Sequence, residues 1–172
     1  TTYTWGPLHI PTQVNILDIY CTEQTFVFSQ QGNITLIYGT NSALNKRLSN
    51  VKKVVTTANS VLVLFYNRTL YSWGHISIRD VPNELFSDIY ATSSGFGALT
   101  ERRTFLTWHY TDPNKYSQFG YSQIEKVWSN GGGFLFLFSD ETTRILNHHG
   151  DFIVSGPYTN VKNVYTDGSA WA

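Results

Sequence analysis

The sequence predicts an all-β fold in which one short β-sheet unit is repeated along the chain. The first observation is a period, because similar segments begin at residues 16, 51, 86 and 124 and are therefore spaced by 35 to 38 residues. The second is that each segment holds apolar runs separated by small or polar turns, the pattern of antiparallel strands. The third is that no long helix fits the hydrophobic periodicity. Such a period is typical of a solenoid, a propeller or an array.

The repeat occurs in complete and half copies, which together give about five units in one predicted domain. The complete copies are residues 16–39, 51–74, 86–109 and 124–147. The half copies are residues 161–172, which match 51–62, and residues 1–6, which match 69–74. Two interpretations stay open. Either the N-terminal strand completes the last unit, or that unit is completed by another chain or by a segment of a longer array.

The copy at residues 51–74 shows how one unit forms a sheet. Its start, Val51–Val55, is rich in β-branched residues, which favour strands. Small polar residues at 56–60 predict a turn. The apolar run Val61–Phe65 predicts a strand that is buried on both faces. After a second turn, the alternation of Thr69–Trp73 predicts a half-buried strand.

The other copies follow the same template. Their middle strands are predicted at 25–29, 95–99 and 133–138, and the hairpin tips are Gln31-Gly32, Asn67-Arg68, Arg102-Arg103 and Asp140-Glu141. Of these tips, the first alone contains a glycine. A small residue recurs at the start of the middle strand, as Thr25, Ser60, Gly95, Gly133 and Ala170. This recurrence predicts that backbones of neighbouring units approach closely near the axis of a ring.

Large aromatic residues recur at two places in the unit. One set ends the first strand, as Tyr20, Tyr90, Trp128 and Tyr165, and the other ends the unit, as Trp5, Tyr38, Trp73 and Trp108. An aromatic side chain that recurs once per unit is first of all a packing residue, because it buries a large apolar area between neighbouring sheets. We therefore interpret these residues, in particular Trp5, Tyr38, Trp73, Trp108 and Trp128, as structural repeat aromatics.

The segments between the units are predicted linkers. Proline cannot donate to a strand ladder and occurs in four of them, as Pro11, Pro82, Pro113 and Pro157. The linker 40–50 has no proline and is compatible with a short helical turn. The linkers 75–84 and 109–123 are the candidate partner-binding surfaces, with His75, His109, Tyr110, Tyr116, Phe119 and Tyr121 as candidate contacts. Such aromatics are common interface anchors, although a loop folded onto the sheet edge gives the same pattern.

The composition narrows the classes of function. The formal net charge is zero, which argues against nucleic acid as a partner, and no apolar run reaches the length of a membrane span. The single cysteine, Cys21, excludes an internal disulfide and is interpreted as a small buried residue. The sequons at Asn33 and Asn67 lie at predicted hairpin tips, where there is room for a glycan, although short sequons also occur by chance. A secreted or exported location is slightly favoured, but the sequence does not fix the compartment.

The sequence holds no catalytic motif. It lacks a Gly-x-Ser-x-Gly nucleophile, a phosphate-binding glycine loop and a Cys-x-x-Cys pair, so we expect no enzymatic activity, no cofactor and no metal. His75, His109 and His148 recur just past the end of a unit and would share one rim of a ring. Their spacing does not separate a shared site from ordinary exposed loop histidines, which we favour.

The order of these signals resembles the propeller repeat of the regulator-of-chromosome-condensation family, in the style of the propeller-type β-lactamase inhibitor proteins. The resemblance is carried by Tyr71–Gly74, Val81-Pro82, Ile89–Ala91, Gly95–Leu99 and a matching step at 164–172. It implies a β-propeller, here of about five blades, whose rigid ring presents loops to another macromolecule. Guanine-nucleotide exchange is one role in the family.

The chain also departs from that family. The family usually has Asp-Gly at the second hairpin, where Gly32 alone matches, and usually has seven blades. The fourth unit ends in Leu146–His148 where the family has Trp-Gly. The family's contact residues therefore cannot be carried over to this chain.

Three roles follow from the sequence. The leading hypothesis is a protein-binding propeller module that presents the loops between its blades to a partner. The alternative is a carbohydrate-binding propeller, in which aromatic side chains stack on sugar rings. A lectin would repeat an aromatic with polar partners in its loops, whereas the repeated aromatics lie at strand ends. Self-association through the termini is the third.

Overall fold

The structure is a computed structural model that describes residues 15–31, 34–39, 45–78, 81, 83–109, 111–120, 123–147, 152–153, 160–161 and 164–166. Within these ranges the chain is all β, with fifteen strands in four antiparallel sheets and no helix. We call the sheets blades 1 to 4 in chain order. The prediction of an all-β fold made of repeated antiparallel sheets is confirmed.

Each blade is a meander whose strands pair in chain order. Blade 1 contains β1 (Ile16–Cys21), β2 (Thr25–Gln30), β3 (Ile34–Gly39) and β4 (Lys46–Leu48). Blade 2 contains β5 (Val51–Thr56), β6 (Ser60–Phe65) and β7 (Leu70–Gly74). Blade 3 contains β8 (Phe86–Ala91), β9 (Gly95–Thr100), β10 (Thr104–His109) and β11 (Asp112–Gly120). Blade 4 contains β12 (Ile124–Asn130), β13 (Gly133–Phe138), β14 (Thr143–Asn147) and β15 (Phe152–Ile153).

The first strands form the inner edge of the arrangement, because β1 contacts β5, β5 contacts β8 and β8 contacts β12. Each of them carries a bulge at the same place. The register with the second strand shifts directly after the first residue, between Ile16/Asp18, Val51/Lys53, Phe86/Asp88 and Ile124/Lys126. A bulge bends its strand and increases the local twist. No turn residue marks this position, so the sequence does not predict it.

The hydrophobic core lies between successive blades. The cluster between blades 2 and 3 joins Leu62 and Leu64 of β6 to Phe86, Ile89 and Trp108 of blade 3. Equivalent clusters lie between blades 1 and 2 (Val27, Ile37, Val51, Val54, Val61, Val63) and between blades 3 and 4 (Leu99, Phe105, Ile124, Val127, Phe134, Phe136, Phe138, Leu146). The middle strands of blades 2 and 3, β6 and β9, therefore face a core on both sides. The prediction for Val61–Phe65 is confirmed from Val61 to Leu64, which are all 0% exposed.

The interpretation of residues 109–123 as a linker is wrong. Residues 112–120 form β11, an edge strand that pairs along β10. Pro113 is the second residue of β11, which pairs with β10 and with no second strand among the described residues, so a missing N–H is tolerated there. Phe119 lies opposite Phe105 and packs against the cluster between blades 3 and 4. The alternative of a segment folded onto the sheet edge therefore describes this stretch.

The recurring small residue at the start of the middle strand has a different cause from the one predicted. A Cβ on Gly95 would lie 2.7 Å from the carbonyl oxygen of Trp108, which belongs to the same sheet. On Gly133 a Cβ would contact the carbonyl oxygen of Leu146 in the same way. The close approach is thus made to the third strand of the same blade rather than to a neighbouring blade.

The hairpin tips adopt a left-handed backbone without glycine. Arg68, Arg103 and Glu141 occupy the same position in their repeats and have φ values of 70°, 64° and 63°. A left-handed conformation costs a residue with a side chain about 1–2 kcal/mol. Arg68 forms an ion pair with Glu101 at 2.5 Å, and Arg103 donates to the carbonyl of Ile124 at 3.1 Å. For these two, a side-chain contact to the next blade accompanies the strained backbone.

Replacing Glu141 with glycine is expected to raise the free energy of unfolding by about 0.5–1 kcal/mol, because glycine adopts this φ without steric cost. Asp140→Gly is the matched control. The Asp140 carboxylate accepts hydrogen bonds from the Thr142 N–H at 3.0 Å and the Thr142 hydroxyl at 2.6 Å, so its removal should lower stability. Urea unfolding followed by tryptophan fluorescence measures both. Equal changes in the free energy of unfolding for Glu141→Gly and Asp140→Gly would contradict a strained backbone at Glu141.

Several predictions fall on residues outside the described ranges. These are the half copy 1–6 with Trp5, most of the half copy 161–172, and Tyr110, Tyr121, His148, Asn33, Pro11, Pro82, Pro157 and residues 40–44 of the linker 40–50. Completion of the last blade therefore stays a prediction.

Candidate functional site

The turns between the first and second strands join successive blades at one end of the molecule. The N–H of Glu23 donates to the carbonyl of Ala58 at 2.8 Å, Ala58 donates to Ser93 at 3.4 Å, and Ser93 donates to Gly131 at 3.3 Å. All four are the eighth residue of their repeat. The hydroxyl of Ser93 adds a second bond to Gly131 at 2.7 Å. We call this end of the blades the turn face, and its turns hold one another in fixed positions.

A central groove lies where the four blades converge on the turn face. It has a volume of about 370 Å³ and is lined by the ends of the first strands and the turns that follow them: Cys21, Thr56, Thr57, Ala58, Ala91, Thr92, Ser93, Asn130 and Gly131. The described lining consists of small or polar residues without charge. Asn130 lines the groove on the side of blade 4. Its side-chain oxygen accepts the N–H groups of Gly132 and Gly133, and its side-chain nitrogen donates to the hydroxyl of Thr166.

The interpretation of Cys21 as a buried residue is wrong. Its thiol is exposed and lines the central groove, together with Thr56 and Ala91 at equivalent positions of the next two repeats. Cys21 ends β1 at the turn face, where the strand leaves the core. The preference of cysteine for buried sites is therefore outweighed by its place in the repeat.

A larger side groove lies between blades 1 and 2 on the turn face, with a volume of about 720 Å³. Its described lining comprises Glu23, Gln24, Asn59, Ser72, Trp73, Gly74 and His75. Glu23 and Gln24 come from the turn of blade 1, and the other five come from blade 2. The groove thus places one carboxylate, two amides, an imidazole and an indole around one space.

The wall formed by blade 2 is held by close backbone contacts. Gly74 has a φ of 111°, and a Cβ there would lie 2.7 Å from the Cα of Ser60. The N–H of His75 donates to the carbonyl of Asn59 at 3.2 Å. Trp73 is half-buried and packs against the cluster between blades 1 and 2. The aromatic-Gly ending of the repeat therefore fixes the groove as well as the core.

The linker that starts at His75 folds onto the core. The N–H of Ile76 donates to the Ser60 hydroxyl and the N–H of Ile78 to the Ser72 hydroxyl, both at 2.9 Å. The side chain of Ile76 is 2% exposed between blades 2 and 3. Within the linker 75–84, which was predicted as a binding surface, the exposed His75 lines the side groove.

His109 lies on the same end of blade 3. Its Nδ1 accepts from the N–H of Thr111 at 3.3 Å, and its Nε2 lies 3.1 Å from the hydroxyl of Ser94. Nδ1 also lies 3.0 Å from the hydroxyl of Thr111, so both ring nitrogens have a hydrogen-bond partner on this end of blade 3. His75 and His109 share the turn face but belong to different turns. Among the described residues, no three His, Cys, Asp or Glu side chains come together as a metal site.

The remaining predicted residues are placed differently. Tyr116 lies in β11 opposite Trp108, which is 1% exposed, and Tyr38 packs on the outer face of blade 1 against Phe28 and Leu36. Trp128 is half-buried within β12. Sequence reasoning missed Glu23, Gln24 and Asn59 as site residues. The feature that could have pointed to them is their place in the turn between the first and second strands of the repeat, which the sequence analysis treated only as a connection.

The inner edge of blades 2 and 3 carries a charged pair. Lys53 forms an ion pair with Asp88 at 2.8 Å, and its ammonium lies 4.8 Å from the ring centre of Tyr90. Burial, reinforced by the Asp88 carboxylate, raises the pKa of the Tyr90 phenol above its ordinary value. Tyr90 therefore stays neutral at physiological pH and contributes packing rather than acid–base chemistry.

The comparisons with known proteins agree with this architecture. No family model and no curated protein matches the sequence. Among solved structures, Prp20p of Saccharomyces cerevisiae matches with a TM-score of 0.64 and 10% identity, over 87% of this chain and 51% of Prp20p. The CRINKLY WD40 ectodomain of the Arabidopsis thaliana receptor kinase ACR4 matches with a TM-score of 0.59 and 12% identity, over 87% of this chain and 55% of that chain.

Human WBSCR16 matches with a TM-score of 0.57 and 11% identity, over 77% of this chain and 47% of that protein. The chain thus spans about half the length of the solved structures it matches. Within the part of the chain that the structure describes, no helix is long and apolar enough to cross a membrane. At this identity the likeness concerns the fold, and it confirms the predicted resemblance to the regulator-of-chromosome-condensation repeat: the chain has a β-propeller fold.

Proposed function

We propose that the chain is a non-catalytic protein-binding module that contacts its partner through the turn face. The observation that carries the proposal is the set of backbone hydrogen bonds that joins the turns of all four blades. A surface that is ordered before binding loses little conformational freedom on association. The turn face also combines an aromatic side chain with polar groups and little charge, a composition found in protein interfaces.

The similar propellers support a protein as the partner. Prp20p was studied for its binding to Gsp1p and histones, and a structure of Kap60 bound to yeast Prp20 is also among the matches. Nup159 was solved as an N-terminal domain and with Dbp5 and Gle1. We infer that this chain uses the same fold for a protein contact of its own.

The carbohydrate alternative is less well supported. The equivalent of Trp73 in blade 3 is Trp108, which is 1% exposed, and blade 4 has Leu146 at that position, also 1% exposed. Blade 1 has Tyr38 at that position, half-buried like Trp73, so a partly exposed aromatic occurs in blades 1 and 2 but not in every described blade.

The proposal can be tested with the single cysteine of the sequence. A benzophenone attached to Cys21 places a photo-crosslinker in the central groove. We expect irradiation in an extract of the native source to give one discrete crosslinked protein, which excess unlabelled chain removes by competition. The matched control is Cys21→Ser/Ser139→Cys, which carries the label on an exposed hairpin tip at the other end of blade 4. Identical products from both labels, or no competable product from Cys21, would contradict the proposal.

A further inference from the structure

We infer that the side groove binds a cationic side chain, lysine or arginine, of a protein partner. The inference rests on the proposed function and names the chemistry that the turn face recognises. It depends on three features of the groove: an available carboxylate, an accessible indole, and backbone contacts that hold the two in place.

The carboxylate is supplied by Glu23. Its side chain is exposed, and the two ion pairs among the described residues engage Asp88 and Glu101 instead. The described lining of the groove contains no lysine or arginine. Apart from the His75 imidazole, the described lining therefore has no basic group beside its carboxylate, which a cationic ligand would complement.

The indole is supplied by Trp73. Its ring is half-buried, so one part packs on the core between blades 1 and 2 while the rest lines the groove. Tryptophan is the aromatic residue that attracts cations best. An ammonium or guanidinium group on this surface would also come within reach of the side-chain oxygens of Gln24 and Asn59.

The two sides of the groove are fixed relative to each other. The Glu23 N–H donates to Ala58 at 2.8 Å, which ties the turn of blade 1 to blade 2. Asn59, next to Ala58, accepts the N–H of His75 at 3.2 Å. Because both contacts are made by the backbone, a substitution of the Glu23 side chain removes the charge without removing the bond that positions it.

The groove is specific to one pair of blades. The residues equivalent to Glu23 are Ala58, Ser93 and Gly131, none of which is acidic. In blade 3 the equivalent tryptophan, Trp108, is buried. The described blades therefore form one such groove, as expected for recognition of a single side chain.

The test is a titration of the 15N-labelled chain with small model compounds. Acetyl-arginine methylamide and acetyl-lysine methylamide are the cationic probes, acetyl-norleucine methylamide is the uncharged one, and methyl α-glucoside represents sugars. The indole N–H signal of Trp73, assigned by Trp73→Phe, reports on the groove. We expect the cationic probes to shift this signal in a saturable way, while norleucine and glucoside leave it in place.

The variants decide whether the carboxylate is responsible. Glu23→Gln should weaken binding of the cationic probes at least about fivefold. Glu125→Gln, which removes an exposed carboxylate of β12 outside the groove, should leave it unchanged. Gln24→Glu, which adds a second carboxylate, should strengthen it.

Equal shifts with norleucine, equal binding by Glu23→Gln, or a response to glucoside alone would each overturn the inference. The crosslinked partner gives a further test. If it binds Glu23→Gln as tightly as the original chain, the inference is overturned while the protein-binding role stays in place. If no competable product forms from Cys21 but the cationic probes still bind, the result would instead contradict the proposed function alone.

Discussion

Replacing Phe105 with alanine is expected to lower the free energy of unfolding by about 3–5 kcal/mol, the cost of removing a fully buried aromatic ring. Phe105 is 0% exposed and packs edge-to-face against two rings of blade 4. Its ring centre lies 5.2 Å from that of Phe134 and 4.8 Å from that of Phe136, so it joins blade 3 to blade 4. Its ring fills the space left by Gly97, where a Cβ would lie 2.8 Å from the Phe105 Cε1 atom. The neighbouring blade cannot fill the cavity without breaking its own sheet.

Urea unfolding followed by tryptophan fluorescence measures this loss. Tyr66→Ala is the matched control, because Tyr66 is 56% exposed and its contact to Asn50 is made by the backbone N–H. That variant should differ from the original chain by about 0.5 kcal/mol or less. Similar losses in the two variants would show that the contact between blades 3 and 4 is not a main source of stability.

The second large effect concerns Gly133, the last of three consecutive glycines. Gly133→Ala should lower the free energy of unfolding by about 2–3 kcal/mol or more. Its Cβ would contact the carbonyl oxygen of Leu146 and lie 3.1 Å from the Cα of Asn147, and both are backbone atoms of the paired strand. Because β13 and β14 are joined by their ladder, neither strand can move aside without losing hydrogen bonds.

Gly132→Ala is the control for this substitution. The nearest atom to a Cβ on Gly132 is the Asn130 Oδ1 at 3.6 Å, an ordinary contact distance. Its φ is not among the positive values of the described residues, so alanine fits there and should stabilise the chain by about 0.4–1 kcal/mol. Thermal unfolding of both variants measures the difference. The same sign for both changes would contradict the close packing at the start of β13.

The period of the repeat was enough to predict the kind of fold. A run such as Val61–Leu64 has no polar residue and is short, which leaves a strand buried on both sides as the simplest structure. Where the prediction failed, pairing with a neighbouring strand decided the structure. Residues 112–120 contain a proline and polar residues, but their pairing with β10 outweighs this local preference.

The candidate site was predicted less well than the fold. The sequence pointed to aromatic residues in linkers, yet Phe119 packs on the core, and the linker after His75 is held by the hydroxyls of Ser60 and Ser72. The side groove requires Glu23 and Trp73, which are far apart in sequence and come together through the stacking of blades 1 and 2. Only the angle and register between the blades determine that contact, and no local pattern encodes them.

The backbone hydrogen bonds from each turn to the next also affect how such chains can change in length during evolution. Ala58 and Ser93 each give one backbone bond to the following turn and receive one from the preceding turn. Deletion of one whole unit, such as 51–85, would bring the donor of Glu23 opposite the acceptor of Ser93, with no bond left unmade. Duplication of a unit would add a donor together with an acceptor. Arrays of this type can therefore grow or shrink in whole blades without a polar defect at the junction.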